Sequence, residues 1–423
     1  MDTLKQSGQS AISGRERRRA QKALAVSQMA LTLILLVASG LMFRSFFALR
    51  NVDPGFGSPE NVLALRINIP SSLIADRNEA AEAFEAIAPR FAEIPGVTSV
   101  GMATAIPVAG GNNVNPFYVD GVDPPGGGSV PTRRHKWVGE GFFETMRIPV
   151  LAGRTISWTE VHERAPVAIV SESLARIYWG SPEAALGGRV AARPEPERWH
   201  EVVGVVADVR DDALSQDPPA MVYWPQVTLG FWEGSTLEDV QTWRGMGYAI
   251  RSDRVRNPAF LDEVRRVVRE VNPSLALRNV GLLDDFIAQS MSRTSSTLIL
   301  LAIAGTVALI LGIVGVYGVT AYSVARRSRE LGMRIALGAQ KESVVRMVLR
   351  QGFVLAAIGI AIGTVLALGL TRLMSSQLYG VSPIDPVTFA AVAVGLLVVA
   401  LVASYLPARR AASVDPIEAL RVE

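Results

Sequence analysis

The chain has 423 residues, 49% of them hydrophobic and 19% charged, with a net charge of +3 and no cysteine. An ordinary soluble chain carries about 25% charge, so this composition excludes a purely soluble enzyme, a disordered chain and a disulfide scaffold. Without thiols there are no thiolate zinc sites, iron–sulfur clusters or cysteine nucleophiles.

The first element is an uncharged run of 21 residues between Lys22 and Arg44, and three more follow: 32 between Arg293 and Arg326, 21 between Arg350 and Arg372, and 23 between Asp385 and Arg409. About 20 apolar residues cross the hydrocarbon core as a helix. Each run is therefore read as a membrane span rather than a buried core helix. The first run is too long for a signal-peptide core, and no A-x-A site follows it. Only Lys5, Lys22, Lys136 and Lys341 are lysines among the 42 basic residues. The arginines gather beside the spans instead of forming a basic face on a soluble domain, so nucleic acid is not an expected partner.

Arg15, Arg17, Arg18, Arg19 and Lys22 precede the first span, and Arg326, Arg327, Arg329, Arg334, Lys341, Arg346 and Arg350 lie between the second and third. The loop from Met374 to Asp385 has no Lys or Arg. Basic flanks mark the cytoplasmic side. The expected layout is a cytoplasmic segment 1–22, helix 23–46, an external domain 47–292, helix 293–324, a cytoplasmic loop 325–350, helix 351–373, an external loop 374–385, helix 386–408 and a cytoplasmic tail 409–423. Arg44, Arg50 and Arg372 are outvoted exceptions.

Within the external domain, Val62–Ile69 alternates like a strand, Glu79–Phe91 has helical spacing, and Val97–Ala103 is a second strand. The pattern recurs as strand Tyr248–Arg251, helix Pro258–Val271 and strand Leu275–Val280. Two βαβ units, within 60–110 and 245–285, thus flank a strand-rich insert over 111–244. In that insert Val167–Val170 and Glu201–Val206 read as buried strands. Ser171–Trp179 reads as a helix capped by Ser171 or Ser173, and Trp224–Trp243 as irregular. The fold class is an α+β membrane protein with four transmembrane helices and a large extracytoplasmic α+β domain of two subdomains.

Chemistry is sparse. No Gly-x-x-x-x-Gly-Lys-Ser/Thr motif occurs, so no Walker A phosphate cradle can form and ATP is expected on a partner. His135, His162 and His200 lack metal spacing and read as surface or loop residues. Asp208, Asp211 and Asp212 read as a solvated turn. No metal or cofactor is expected on this chain. The spans hold almost no ionisable residues, which argues against a secondary carrier. Gly359-x-x-x-Gly363 gives the third span a small-residue face for close helix packing, and Gly312 and Gly315 offer the same in the second.

The segment ARRSRELGMRIALGAQKESVVRMVLRQG, Ala325–Gly352, is basic and amphipathic and runs into the third span. As residues alone it fits an interfacial helix pair or a docking surface. Its SRELGMRIALGAQKESVVRMVLRQG stretch resembles the signature loop of MacB/FtsX-type ABC transporter permeases, and the tail Tyr405–Arg421 resembles their C-terminal end. One span, a large external domain and three further spans is that family's topology. The first residues resemble the second half of its duplicated members. The resemblance implies an inner-membrane permease that pairs with a second permease unit, as a homodimer or pseudo-dimer, and works with a separate ABC ATPase. It implies contact with that ATPase through Arg326, Arg329, Glu330, Gly332, Arg334, Ala336, Leu337, Gly338 and Ala339. The movement would act outside on a peptide, lipoprotein, small toxic molecule or cell-wall enzyme. A membrane-anchored receptor is the competing class, and an FtsX-like regulator of an external enzyme competes within the family. The short cytoplasmic segments leave little room for a receptor's output domain.

Overall fold

The computed structural model describes residues 2–111, 113–122, 129–194, 196–327, 333, 340–375 and 378–412. It divides into two units, Val52–Ser292 and the remainder.

In the first unit, β1 (Val62–Asn68) leads to α2 (Arg77–Ala92), α1 being the N-terminal helix Asp2–Arg50 of the other unit. Asp76 starts α2 by accepting from the amides of Asn78 and Glu79 at 2.7 and 3.0 Å, satisfying donors that a helix start leaves free. Strand β2 (Val97–Ala103) follows. Strands β3 to β5 (Val114–Pro116, Tyr118–Val119, Thr132–Val138), α3 (Phe142–Met146), β6 (Val150–Gly153), α4 (Trp158–His162), β7 (Val167–Ser171) and α5 (Glu172–Trp179) open the insert. Strands β8 to β12 (Arg189–Ala191, His200–Val206, Met221–Pro225, Thr228–Leu229, Val240–Gln241) complete it. The second βαβ unit is β13 (Gly245–Ser252), α6 (Pro258–Val271) and β14 (Leu277–Leu282), and α7 (Leu283–Ser290) ends the segment. Asn257 caps α6 and Pro258 occupies its first turn, where its missing N–H costs nothing.

The two βαβ units interleave. Strand order β14-β1-β13-β2 places β1 between both strands of the other unit, all antiparallel. This is the split βαβ arrangement. Helices α2 and α6 cover one face, where Phe84, Phe91, Tyr248, Phe260 and Val264 form one core cluster. Phe91 and Tyr248 meet edge to face at 5.4 Å, and the Tyr248 hydroxyl donates to the Phe84 carbonyl at 2.8 Å. Each such buried side chain contributes about 1.5–3 kcal/mol.

The sheet does not stop at the unit's edge. Ala103 of β2 pairs with Val138 of β5, and the order continues β5-β10-β7-β9-β8-β4. The two expected subdomains therefore share one mixed sheet. The stretch read as irregular, 224–243, contains the end of β10 and the β11–β12 pair, and Trp224 is fully buried against Phe231 at 5.0 Å. The last βαβ strand lies two residues later than its pattern, at Leu277–Leu282, with a register shift against Ala64/Arg66. Asn279 there has φ 48°, a left-handed conformation that Asn tolerates better than most residues.

In the second unit, α1 is joined by α8 (Ser292–Arg326), α9 (Lys341–Leu373) and α10 (Pro386–Ala412). Each is long and apolar enough to cross a membrane, over Arg19–Arg50, Ser296–Arg326, Glu342–Leu373 and Pro386–Arg410. Of the most apolar stretch of α1 44% is buried, against 22% to 28% for the others, so α1 is the most enclosed of the four. Its buried residues Ala25, Met29, Leu33, Val37 and Leu41 recur every fourth position, one stripe along one helix face.

Candidate functional site

The glycines singled out from sequence lie where helices approach α1. A Cβ on Gly359 would stand 2.5 Å from Met29 Cβ, and one on Gly363 would stand 2.9 Å from the Ala30 carbonyl. On α8, a Cβ at Gly312 would come 3.1 Å from Thr32 Oγ1, and one at Gly315 would overlap the Gln28 side chain. The Thr32 hydroxyl lies 2.8 Å from the Ala308 carbonyl, an interhelical hydrogen bond between α1 and α8. The sequence marks α8 and α9 as small-faced, yet nothing in its pattern names α1 as the helix both faces meet.

At the other end of α1, Arg44 pairs with Asp385, and Ser45 Oγ accepts from the Tyr379 amide at 2.8 Å. Asp385 also caps α10 by accepting from the Thr388 amide at 2.8 Å. One of the outlying arginines of the charge count is thus neutralised locally.

Of the expected coupling residues, Arg326 ends α8. Arg329, Glu330, Gly332, Arg334, Ala336, Leu337, Gly338 and Ala339 lie outside the described residues. The flanks of that segment are described and packed together. Val344 in the first turn of α9 is buried against Val324 of α8 and Met347, and Ser323 Oγ donates to Gln351 Oε1 at 3.2 Å. Helix α9 runs unbroken from Lys341 through the span, so no break separates the amphipathic segment's second half from the membrane helix. Arg410 of α10 donates to the Tyr317 hydroxyl of α8 at 3.0 Å.

The polar residues of the Val52–Ser292 unit have partners that their sequence positions conceal. Asp211 pairs with Lys136 in a buried ion pair, Asp212 pairs with Arg134, and Asp208 accepts from the Ser173 amide at 2.9 Å. The acidic cluster is therefore not a solvated turn. His135 and His200 are buried, not surface residues. His135 Nδ1 accepts from Trp224 Nε1 at 3.0 Å, and His200 packs edge to face on Trp224. Burial lowers His135 to about 3 and His200 to about 4, so both are neutral. His162 is exposed, as expected. Among the described residues no cluster of His, Asp or Glu could hold a metal ion. The arrangement offers helix contacts and buried structural charges.

Comparison with known proteins agrees with this layout. A family model described as "MacB-like periplasmic core domain" matches residues 23–267, and one described as "FtsX-like permease C-terminal" matches residues 302–416. A curated relative, "Macrolide export ATP-binding/permease protein MacB" of Chromobacterium violaceum, is 28% identical over 304 residues, 68% of this chain and 43% of the relative. A second, "Probable export ATP-binding/permease protein MacB" of Pseudomonas entomophila, is 27% identical over 332 residues, 72% of this chain and 45% of the relative. The chain thus spans less than half the length of these relatives. The crystal structure of the periplasmic region of MacB from Actinobacillus actinomycetemcomitans matches at 17% identity and a TM-score of 0.36, over 56% of this chain and 94% of that one. With the first family model covering more than half of its length, this chain belongs to the MacB/FtsX-type permease family of ABC transporters.

Proposed function

We propose that this chain is the membrane subunit of an exporter or extractor driven by a separate ABC ATPase, and that it relays movement rather than forming a charged conduit. The observation that supports this is the continuity of two helices. The external segment is joined in sequence to α1 at one end and to α8 at the other, and α8 is one helix of 35 residues ending at Arg326. Such a helix is about 50 Å long, well beyond the about 30 Å of hydrocarbon. An unbroken helix transmits a displacement of its end as a displacement of the whole rod.

In this reading both termini and the 325–350 segment are cytoplasmic, in the inner membrane, and Val52–Ser292 lies outside. The ATPase binds ATP and closes against Arg326, Arg329, Glu330, Gly332, Arg334 and the Ala336–Ala339 turn. A second permease unit completes the assembly. The glycine faces at Gly312, Gly315, Gly359 and Gly363 keep α1, α8 and α9 close enough to move as a body. Four spans almost free of ionisable groups fit a protein whose work is done beyond the bilayer.

The test is co-purification and stimulated hydrolysis. With the partner ATPase expressed beside the full chain, Glu330→Ala with Arg334→Glu is expected to abolish stimulation and weaken co-purification. Unchanged binding with normal stimulation would overturn the coupling assignment.

A further inference from the structure

A cavity of about 420 Å³ lies between the end of α8 and the first half of α9. Lys22 of α1 and Arg350 of α9 are among its lining residues. Both are exposed, and neither has an ion pair among the described residues. No acidic side chain is among the described residues that line it. Val354, Leu355 and Ile358 continue its wall along α9. From Arg350 to Ile358 is about 12 Å along a helix axis. The cavity is thus cationic where the span begins and apolar further into it.

Val354 and Ile358 are 45% and 46% exposed, on a helix that faces hydrocarbon. The apolar wall is therefore open sideways to the bilayer. A ligand that enters from the membrane fits this shape better than one that enters from water.

We propose that this cavity holds one anionic phospholipid, with its phosphate between Lys22 and Arg350 and one acyl chain along Val354–Ile358. The proposal rests on the membrane-spanning character of the four helices and not on the coupling mechanism. A phosphate carrying net negative charge satisfies two lining cations that have no ion pair among the described residues. A zwitterionic headgroup brings its own ammonium group to the same place and gains less. Lipid bound there would bridge α1, α8 and α9 at the end where α8 leads into the coupling segment.

The experiment is native mass spectrometry of the full chain in mild detergent, offered equal amounts of phosphatidylglycerol and phosphatidylcholine with identical chains. Phosphatidylglycerol is expected to be retained about tenfold more or better, as two cations near a phosphate provide. Lys22→Gln with Arg350→Gln should reduce retention to the phosphatidylcholine level. Lys22→Arg with Arg350→Lys should restore the preference. Arg372→Gln, an exposed cation at the far end of α9, should leave it unchanged. Equal retention of the two lipids, a preference that survives in the double Gln variant, or displacement by excess glycerol phosphate alone would each overturn the proposal. So would a second copy of the chain covering Arg350 whether or not lipid is present. Loss of ATPase stimulation with lipid retention intact bears only on the coupling reading.

Discussion

Gly359 of α9 sits directly on Met29 of α1, so close that a Cβ at position 359 would stand 2.5 Å from Met29 Cβ and 3.0 Å from the Val26 carbonyl. One turn on, Gly363 lies against Ala30, where a Cβ would come 2.9 Å from the carbonyl and 3.1 Å from Leu33 Cβ. Most of those neighbours are backbone or Cβ atoms, which cannot rotate away. In lipid, helix association depends on this close packing because apolar burial drives little between helices already in hydrocarbon.

Gly359→Ala and Gly363→Ala are therefore expected to force α1 and α9 apart, each costing about 1–3 kcal/mol in overpacking. Gly369→Ala on the same helix serves as the control, since its Cβ would meet nothing within 4 Å. Thermal unfolding in detergent, followed by helical circular dichroism, should rank Gly369→Ala with the parent and the other two below it. Equal stability of all three would remove α1 from this contact.

The second prediction concerns the Lys136–Asp211 pair, whose side chains are 2% and 1% exposed. Removing one partner leaves an almost fully buried charge without its counter-ion. Lys136→Met or Asp211→Leu alone should destabilise the Val52–Ser292 unit by about 3–5 kcal/mol, whereas the double variant should recover most of the loss. All seven tryptophans fall between Trp137 and Trp243. Tryptophan fluorescence during urea unfolding of the full chain therefore reports this unit alone. Equal loss in single and double variants would count against a coupled pair.

What the sequence made legible follows from what is local. Helix Pro258–Val271 and strand Val97–Ala103 were readable to the residue because Asn257, Pro258 and the Pro95-Gly96 break are local signals. The Gly359/Gly363 spacing was equally plain, but its partner Met29 is more than three hundred residues earlier in the chain. The Asp211 and Asp212 turn was misread for the same reason, since Lys136 and Arg134 reach it from across the sheet. Strands β11 and β12 have only two residues each, too short for any period to register. The coupling role proposed for Ala325–Gly352 rests on resemblance, because a basic amphipathic sequence has the same composition whether it lies on lipid or on a protein.

A third prediction follows from the buried imidazoles. Against 6.5 for a solvated imidazole, burial lowers His135 to about 3 and His200 to about 4, with Arg198 adding to the shift at His200. Both stay neutral in the fold while the unfolded chain takes up protons as pH falls through 6.5. Their contribution is thus complete above that pH and is lost towards pH 4, at about 1.4 kcal/mol per pH unit for each histidine. Glu160, held at about 2 by its hydrogen-bonded ion pair with Arg154, loses its contribution only below 4.5. Glu85, pushed up by burial, acts in the opposite direction, so a replacement is more informative than the bare slope. His200→Phe keeps the aromatic contacts with Trp224 and Phe231 and cannot titrate. Urea unfolding between pH 6.5 and 4.5 should show a slope shallower by about one proton. An unchanged slope would mean that His200 is solvated or charged in the folded protein.

The last prediction tests the sidedness on which the proposed relay depends. Five cations crowd residues 15–22 just before the first span and seven lie from Arg326 to Arg350, whereas the Met374–Asp385 loop has none. Arg44, the nearest contrary charge, is tied to Asp385 and adds little net charge at its end of the bundle. Lys and Arg near span ends resist translocation, so the basic ends are expected inside. The chain contains no cysteine, so single replacements label without background. In intact spheroplasts a membrane-impermeant maleimide should react with Arg198→Cys, and with Gln340→Cys only after permeabilisation. Both positions are exposed, so a missing signal reflects the membrane and not burial in the fold. Labelling of both from outside would place the coupling segment beyond the reach of any cytoplasmic ATPase, and movement of α8 could then have no source inside the cell.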